Sequence, residues 1–250
     1  MALDLKTRLR VLGRLLSLQA CWNYERMQGI GFGYAAEPAL RTALHDDLGR
    51  WRDAVARAAG FYNANPYLAA AAIGAEARAE ADGVPGPQIQ RLRTALAGPL
   101  GALGDRLVWT GLVPGLVSLA VIGLVLGGGA AVVVGLLLLH NAVRLGMAAW
   151  LLELGWRHGL HVGHALQASP LPRASSAAVQ GATFACAAAL PVAGRWLLGD
   201  APPPPLETAS LAALVVGAIA LRHYVWPRAS APQLTLLAGA AVLGWYWGVR

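Results

Sequence analysis

Charge is what this sequence has least of. Only 13% of its 250 residues are Asp, Glu, Lys or Arg, whereas 56% are apolar. A soluble domain carries about a quarter charged residues, so an ordinary soluble fold is excluded and the composition is that of a membrane protein. Lysine is almost missing: of 20 basic residues, only Lys6 is not arginine. The net charge of +7 is spread along the chain. No basic block supplies the clustered face that nucleic acid requires, and the partner such a charge implies is an anionic membrane surface. Cysteine is scarce as well. Cys21 and Cys186 are too few for a disulfide framework or a thiolate metal site, and both are read as packing residues. The sequence has no GxxxxGK[ST], no G-x-S-x-G and no H-E-x-x-H, so ATP-driven transport, hydrolase and zinc-protease chemistry have no support.

Long apolar runs are absent before residue 95, since no stretch there reaches the roughly 20 apolar residues that crossing a bilayer takes. The chain therefore divides into residues 1–94, expected to hold amphipathic, interfacial and partly inserted helices, and 95–250, expected to hold the transmembrane helices. The first twenty residues suggest an amphipathic helix on the membrane surface with Leu5, Leu12, Leu15, Leu16 and Leu18 facing in. An amphipathic run from Arg41 to Ala59 predicts a helix, Asn63 to Pro66 an interruption, and the alanine-rich stretch to Ala81 a second helix capped by Asn65. Gly83 and Pro85-Gly86-Pro87 end that unit. Five spans follow, near 106–126, 129–152, 177–198, 206–222 and 233–248. Arg157 and Arg173 in one connection, and Arg222 and Arg228 in another, alternate with the uncharged Gly127–Gly129 and a proline-rich connection without basic residues. That alternation puts the N-terminal region in the cytoplasm. The predicted fold is thus an all-α integral membrane protein.

Polar groups cluster in a few places. Cys21 to Tyr34, CWNYERMQGIGFGY, sets Asn23, Glu25, Arg26 and Gln28 among aromatics. As a helix, at roughly 100° per residue, it would put Trp22 and Arg26 on one face and Glu25 beside Gln28, and Gly29, Gly31 and Gly33 would then end it. Amides and a carboxylate among aromatic rings suit a sugar, and they equally suit an interfacial helix with its polar side chains in water. FYNANPY, Phe61 to Tyr67, repeats the theme with Asn63 and Asn65, and it also reads as a turn and cap. Asp105 and Arg106 stand at the mouth of the first span after a run of Gly and Pro, either in a break that lines a cavity or in a plain loop. Arg144 and Glu153 lie in or near the second span, where structural charge pairing is the expected role. His158, His161 and His164 recur every three residues. A wet juxtamembrane loop explains them better than a metal site, and no metal or cofactor is expected.

The order of four segments is more specific than any one of them. WNYERMQ (22–28), FYNANP (61–66), GPL to GD (98–105) and NAVRLG (141–146) together resemble the IID membrane subunit of the mannose/fructose/sorbose family of sugar phosphotransferase systems. The resemblance covers residues 10–185 closely. It implies a bacterial inner-membrane permease subunit, not itself an enzyme, that pairs with a IIC subunit, typically in a trimer of heterodimers. It further implies a hexose substrate phosphorylated by cytoplasmic IIB from IIA. Carried over by position, Asn23, Glu25, Gln28, Asn63 and Asp105 become the candidates for the sugar site or its subunit contact, with Arg26, Arg106, Arg144 and Glu153 in charge pairing. A membrane sensor or scaffold descended from the same family is the alternative.

This chain departs from the family pattern in places. Arg106 follows the GD where a small residue or Pro is usual, and Val113 stands where Arg is usual. Seven residues on an α-helix make two turns, so Arg106 is expected to supply the missing charge from the same face. Gln180 and Ala64 replace the family's Glu and Thr.

Overall fold

In the computed structural model of this chain residues 3–197 are described, and the regular elements among them are helices. Asp4 starts α1 (Leu5–Leu15) by accepting the Thr7 N–H at 2.8 Å, which satisfies one of the donors a helix N-terminus leaves over. Then come α2 (Gly29–Ala43), α3 (Leu48–Ala58), α4 (Ala69–Ala81) and α5 (Gly86–Gly104). α5 continues without a break through a π-helical segment, Asp105–Leu112, into α6 (Val113–Val125). α7 (Gly129–His158), a single 3-10 turn (Gly159–His161), α8 (Val162–Ala168) and α9 (Leu171–Leu197) complete the described part. Three stretches are long and apolar enough to cross a membrane: Gly86–Val125, Gly129–Ala168 and Leu171–Gly194. They overlap three of the five expected spans, at 106–126, 129–152 and 177–198; those expected at 206–222 and 233–248 lie outside the described residues.

The chain forms two compact units. The first comprises Met1–Arg106 and Asn141–Arg173, and α4 is deeply buried in it. Eleven of the thirteen α4 residues are buried, most of them alanine. Small side chains let other backbones approach on every side. A β-carbon on Gly74 would stand 2.2 Å from the Leu152 carbonyl oxygen, and one on Gly155 of α7 would stand 2.1 Å from that of Ala71. α1 packs on α2, and its Val11 and Leu15 are buried, as is Leu18 just after it. The second unit comprises Leu107–His140 and the chain from Ala174. Within it the Ser118 hydroxyl donates to Cys186 Sγ at 3.1 Å, and Val125 is buried with Val192. Leu119, Leu137 and Leu138 remain more than half exposed, as suits helices whose outer surface meets hydrocarbon.

Several sequence expectations change. α1 buries Thr7, Val11 and Leu15, and Leu18 is buried in the turn that follows, whereas Leu5 and the C-cap Leu16 point outward at 71% and 51% exposure. The Arg41–Ala59 run is not one helix: α2 ends at Ala43, and Asp47 caps a new helix by accepting the Arg50 N–H. The Asp105–Arg106 region is continuous helix, neither loop nor break. His158, His161 and His164 stand exposed on a helical run rather than in a loop. Because Asp105–Leu112 is wound with i→i+5 bonds, the α-helical period that placed Arg106 and Val113 on one face does not apply to it.

Candidate functional site

WNYERMQ is not helical. Asn23 and Met27 pair as antiparallel backbone, N–H to O at 2.8 and 3.3 Å, and close a three-residue tip of Tyr24, Glu25 and Arg26. The Asn23 side chain shapes that tip: its Oδ1 accepts the backbone N–H of Glu25 at 3.1 Å and of Arg26 at 2.9 Å. Its Nδ2 donates to the Cys21 carbonyl at 3.3 Å. Met27 then takes a left-handed conformation, φ 52°, the one needed where a short turn passes into a bulge. The glycines after it start a helix instead of ending one, which reverses the expectation. A β-carbon on Gly29 would fall 1.8 Å from the Gly60 carbonyl oxygen, and one on Gly31 would fall 1.9 Å from that of Leu18. Close approach is what they supply.

That approach brings the second segment alongside the first. Met27 bridges Tyr62, the Gln28 N–H donates to the Tyr62 carbonyl at 2.9 Å, and the Tyr62 N–H donates to the Arg26 carbonyl at 3.3 Å. Gln28 is buried, and its side-chain oxygen accepts the Ala64 N–H at 3.3 Å. The third segment joins through Asn65, 1% exposed, whose Nδ2 donates to Asp105 Oδ1 at 2.9 Å while its Oδ1 accepts the Tyr67 N–H at 3.0 Å. The fourth joins through Arg144, whose guanidinium lies 5.2 Å from the centre of the Tyr67 ring. Four segments spread over more than a hundred residues are thus linked side by side within the first unit.

The predicted residues fall in different surroundings. Glu25 and Arg26 are exposed at the tip, 3.9 Å apart from carboxylate to guanidinium, and Tyr24 beside them packs edge-on to Trp22. Glu25 and Gln28 do not share a helical face, since one stands on the tip and the other is buried beneath it. Asn63 is exposed between the buried Tyr62 and Ala64, and Asp105 and Arg106 are both exposed at the start of the π-helical segment. Glu153 pairs with Arg157 at 2.6 Å and with Arg8 of α1, so its partners are not Arg144.

Sequence reasoning missed the foundation under this arrangement. Arg93, 2% exposed, makes a two-pronged ion pair with the buried Glu76 at 2.8 and 3.1 Å. It also donates to the carbonyls of Arg57 and Ala58 at the end of α3, both at 2.7 Å. Its guanidinium lies 4.6 Å from the Phe32 ring centre and 5.8 Å from that of Tyr62. Arg57 in turn pairs with Glu80 at 2.5 Å. Burial pushes the Glu76 carboxyl up, with Arg93 pulling against it, and burial also pushes the Tyr62 phenol up. Two acids four apart in an alanine-rich helix, Glu76 and Glu80, were the available signal. Among the described residues no group of three His, Cys, Asp or Glu is placed to hold a metal ion.

Comparison with known proteins decides the family. The model of the mannose/fructose/sorbose-family IID component of the phosphotransferase system matches residues 2–186. The chain belongs to that family. This IID component is 28% identical over 149 residues to the mannose-specific EIID component of Escherichia coli K12, covering 58% of the chain and 52% of that protein. It is 34% identical over 149 residues to the sorbose-specific EIID component of Klebsiella pneumoniae, covering 58% and 54%. Against the fructose permease IID component of Bacillus subtilis 168 the figures are 29% over 150 residues, 58% and 54%. The chain spans about half the length of the curated relatives it matches. In fold it is similar to a chain in the cryo-EM structure of the mannose transporter ManYZ with microcin E492, with TM-score 0.56 and 24% identity over 73% of this chain and 68% of that one. A second solved membrane protein gives TM-score 0.65 at 26% identity with the same coverage.

Proposed function

We propose that this IID component is one half of a sugar permease, which with a IIC subunit binds a hexose of the mannose, fructose or sorbose class and carries it across the cytoplasmic membrane. Its N-terminus lies in the cytoplasm, and phosphorylation of the sugar falls to IIA and IIB proteins. Residues 1–94 then form the sugar-handling region and the rest the membrane part. The observation that carries this reading is the linkage of the four signature segments: Gln28 to Ala64, Asn65 to Asp105, and Arg144 over Tyr67.

Each polar residue has a task on this reading. Asn23 spends its amide on its own turn, so it shapes the tip instead of contacting sugar. Glu25, with an exposed carboxylate, is the group on the tip able to accept two hydroxyl hydrogen bonds. Asn63 and Asp105 add exposed polar groups from the neighbouring segments, and Gln28 fixes the first segment to the second.

The test is uptake of labelled mannose, fructose and sorbose by cells that carry this chain with its IIC, IIB and IIA partners. Glu25→Gln keeps the shape and loses the charge. It is expected to lower uptake at least tenfold at limiting sugar, since a hydrogen bond to a charged group contributes about 1.5–3 kcal/mol. Unchanged uptake by a variant present in the membrane at normal level refutes the role of Glu25. Absence of uptake of all three sugars by the unaltered chain, assembled with its partners, refutes the transport reading.

A further inference from the structure

Helix α1 has two apolar faces. One is the stripe of Val11 and Leu15, with Leu3 before the helix and Leu18 after it, and it is buried. The other is Leu5, Leu9 and Leu16, exposed at 71%, 60% and 51%, with Leu12 half-buried between them. At roughly 100° per residue the second set falls within an arc of about 60°, almost opposite the buried stripe. A helix docked on a protein core by one face has no reason of its own to keep leucine on the other.

Lys6 and Arg10, one turn apart and both exposed, flank the outer leucines, and the four side chains of Leu5, Lys6, Leu9 and Arg10 line an open groove. The nearby acids are committed elsewhere: Asp4 accepts twice from Thr7, and Glu37 holds Arg14 at 2.7 Å. The outer face is therefore leucine bordered by two cations with no carboxylate among them. That is the surface an interfacial helix offers to acyl chains and anionic headgroups. The helix is also held to a membrane-crossing candidate, because Arg8 pairs with Glu153 of α7.

We infer that the outer face of α1, Leu5, Leu9 and Leu16 with Lys6 and Arg10, is a docking surface for the anionic phospholipid bilayer. The sequence-based expectation of a membrane-surface helix mixed the two faces; the lipid face is this outer one, and Leu15 and Leu18 are not part of it. The inference stands apart from the sugar reading, since it uses none of the four signature segments.

The test uses the whole 250-residue chain with Cys21→Ser and Cys186→Ser, reconstituted in vesicles of pure phosphatidylcholine or of phosphatidylcholine with phosphatidylglycerol. Nitroxide labels are attached in turn through Leu5→Cys, Leu9→Cys, Leu16→Cys and, as a water-facing control, Gln19→Cys. In the anionic vesicles the three leucine positions are expected to be several-fold more accessible to oxygen than to a water-soluble nickel relaxant, with the reverse at position 19. Charge reversal, Lys6→Glu with Arg10→Glu, is expected to raise nickel access at position 9 by about fivefold for each residue changed. Free nickel access at positions 5, 9 and 16 in anionic vesicles overturns the inference. Protection from both relaxants also overturns it, because protein and not lipid then covers the face. Equal accessibility in the two vesicle types, unmoved by charge reversal, overturns the anionic preference. Thermal melts of every labelled variant check that α1 is still folded on α2.

Discussion

Replacing Arg93 by methionine keeps most of the side-chain volume and removes everything polar about it. In the folded chain Arg93 satisfies both Glu76 oxygens and two main-chain carbonyls, at distances from 2.7 to 3.1 Å. Glu76 is 3% exposed, so water cannot replace the guanidinium without opening the core. Removing one partner of a buried pair costs about 3–5 kcal/mol. At about 2–4 °C per kcal/mol for a chain of this size, Tm should fall by about 6–20 °C, read by tryptophan fluorescence in detergent. The loss carries a pH signature. Burial already raises the folded Glu76 carboxyl against the pull of Arg93, and without Arg93 it rises further above its unfolded value. A raised carboxyl is stabilising while protonated, so the variant is most stable below that value and weakens as pH rises from it through the folded pKa. The double variant Arg93→Met with Glu76→Met should recover more than half of the loss. A single-variant fall in Tm under 3 °C, or a double variant no better than the single, would refute the reasoning.

Other expectations follow from the same packing. Tyr62 is 1% exposed and its hydroxyl has no hydrogen-bond partner, so Tyr62→Phe should leave Tm unchanged or raise it by up to about 1–2 kcal/mol equivalent; a clear fall would reveal a partner. Gly155→Val drives a side chain into the Ala71 carbonyl and should cost at least about 1–3 kcal/mol. Gly146→Val on the same helix meets open space and should cost well under half as much in the same melt. Asn65→Ala strips Asp105 of a 2.9 Å hydrogen bond and leaves the buried turn at Tyr67 short of an acceptor, a loss of about 1–3 kcal/mol. Uptake by that variant should show a raised KM, and wild-type uptake would separate Asn65 from the site.

Helical class and the apolar stretches were legible because they rest on composition. Polar side chains are uncommon here, so Asn23, Glu25, Gln28 and Asp105 stood out without any structure. Their conformation was not legible. WNYERMQ has an acceptable helical pattern, and what overrides it is non-local: the carbonyls of Gly60 and Leu18 need the space that Gly29 and Gly31 leave, so the helix begins where local propensity would end it. Asn65 was seen as a cap because local spacing shows only its backbone neighbours; its bond to Asp105 spans forty residues. Arg93 gave no sign at all, since one arginine among 19 looks the same whether it snorkels or lies in a core. The π-helical winding at Asp105 was equally hidden, because apolar periodicity fixes which residues are buried and not how the hydrogen bonds are drawn.

The tip closed by Asn23 and Met27 separates shape from chemistry. Its outline is drawn by main-chain bonds and by one amide below it, while Tyr24, Glu25 and Arg26 contribute only what they carry outward. Those three positions can change their cargo without redrawing the loop, whereas a change at Asn23 alters the loop for all three. If the tip receives a ligand, as proposed above, a surface built this way can drift from one ligand to another by single substitutions, each of which leaves the scaffold folded.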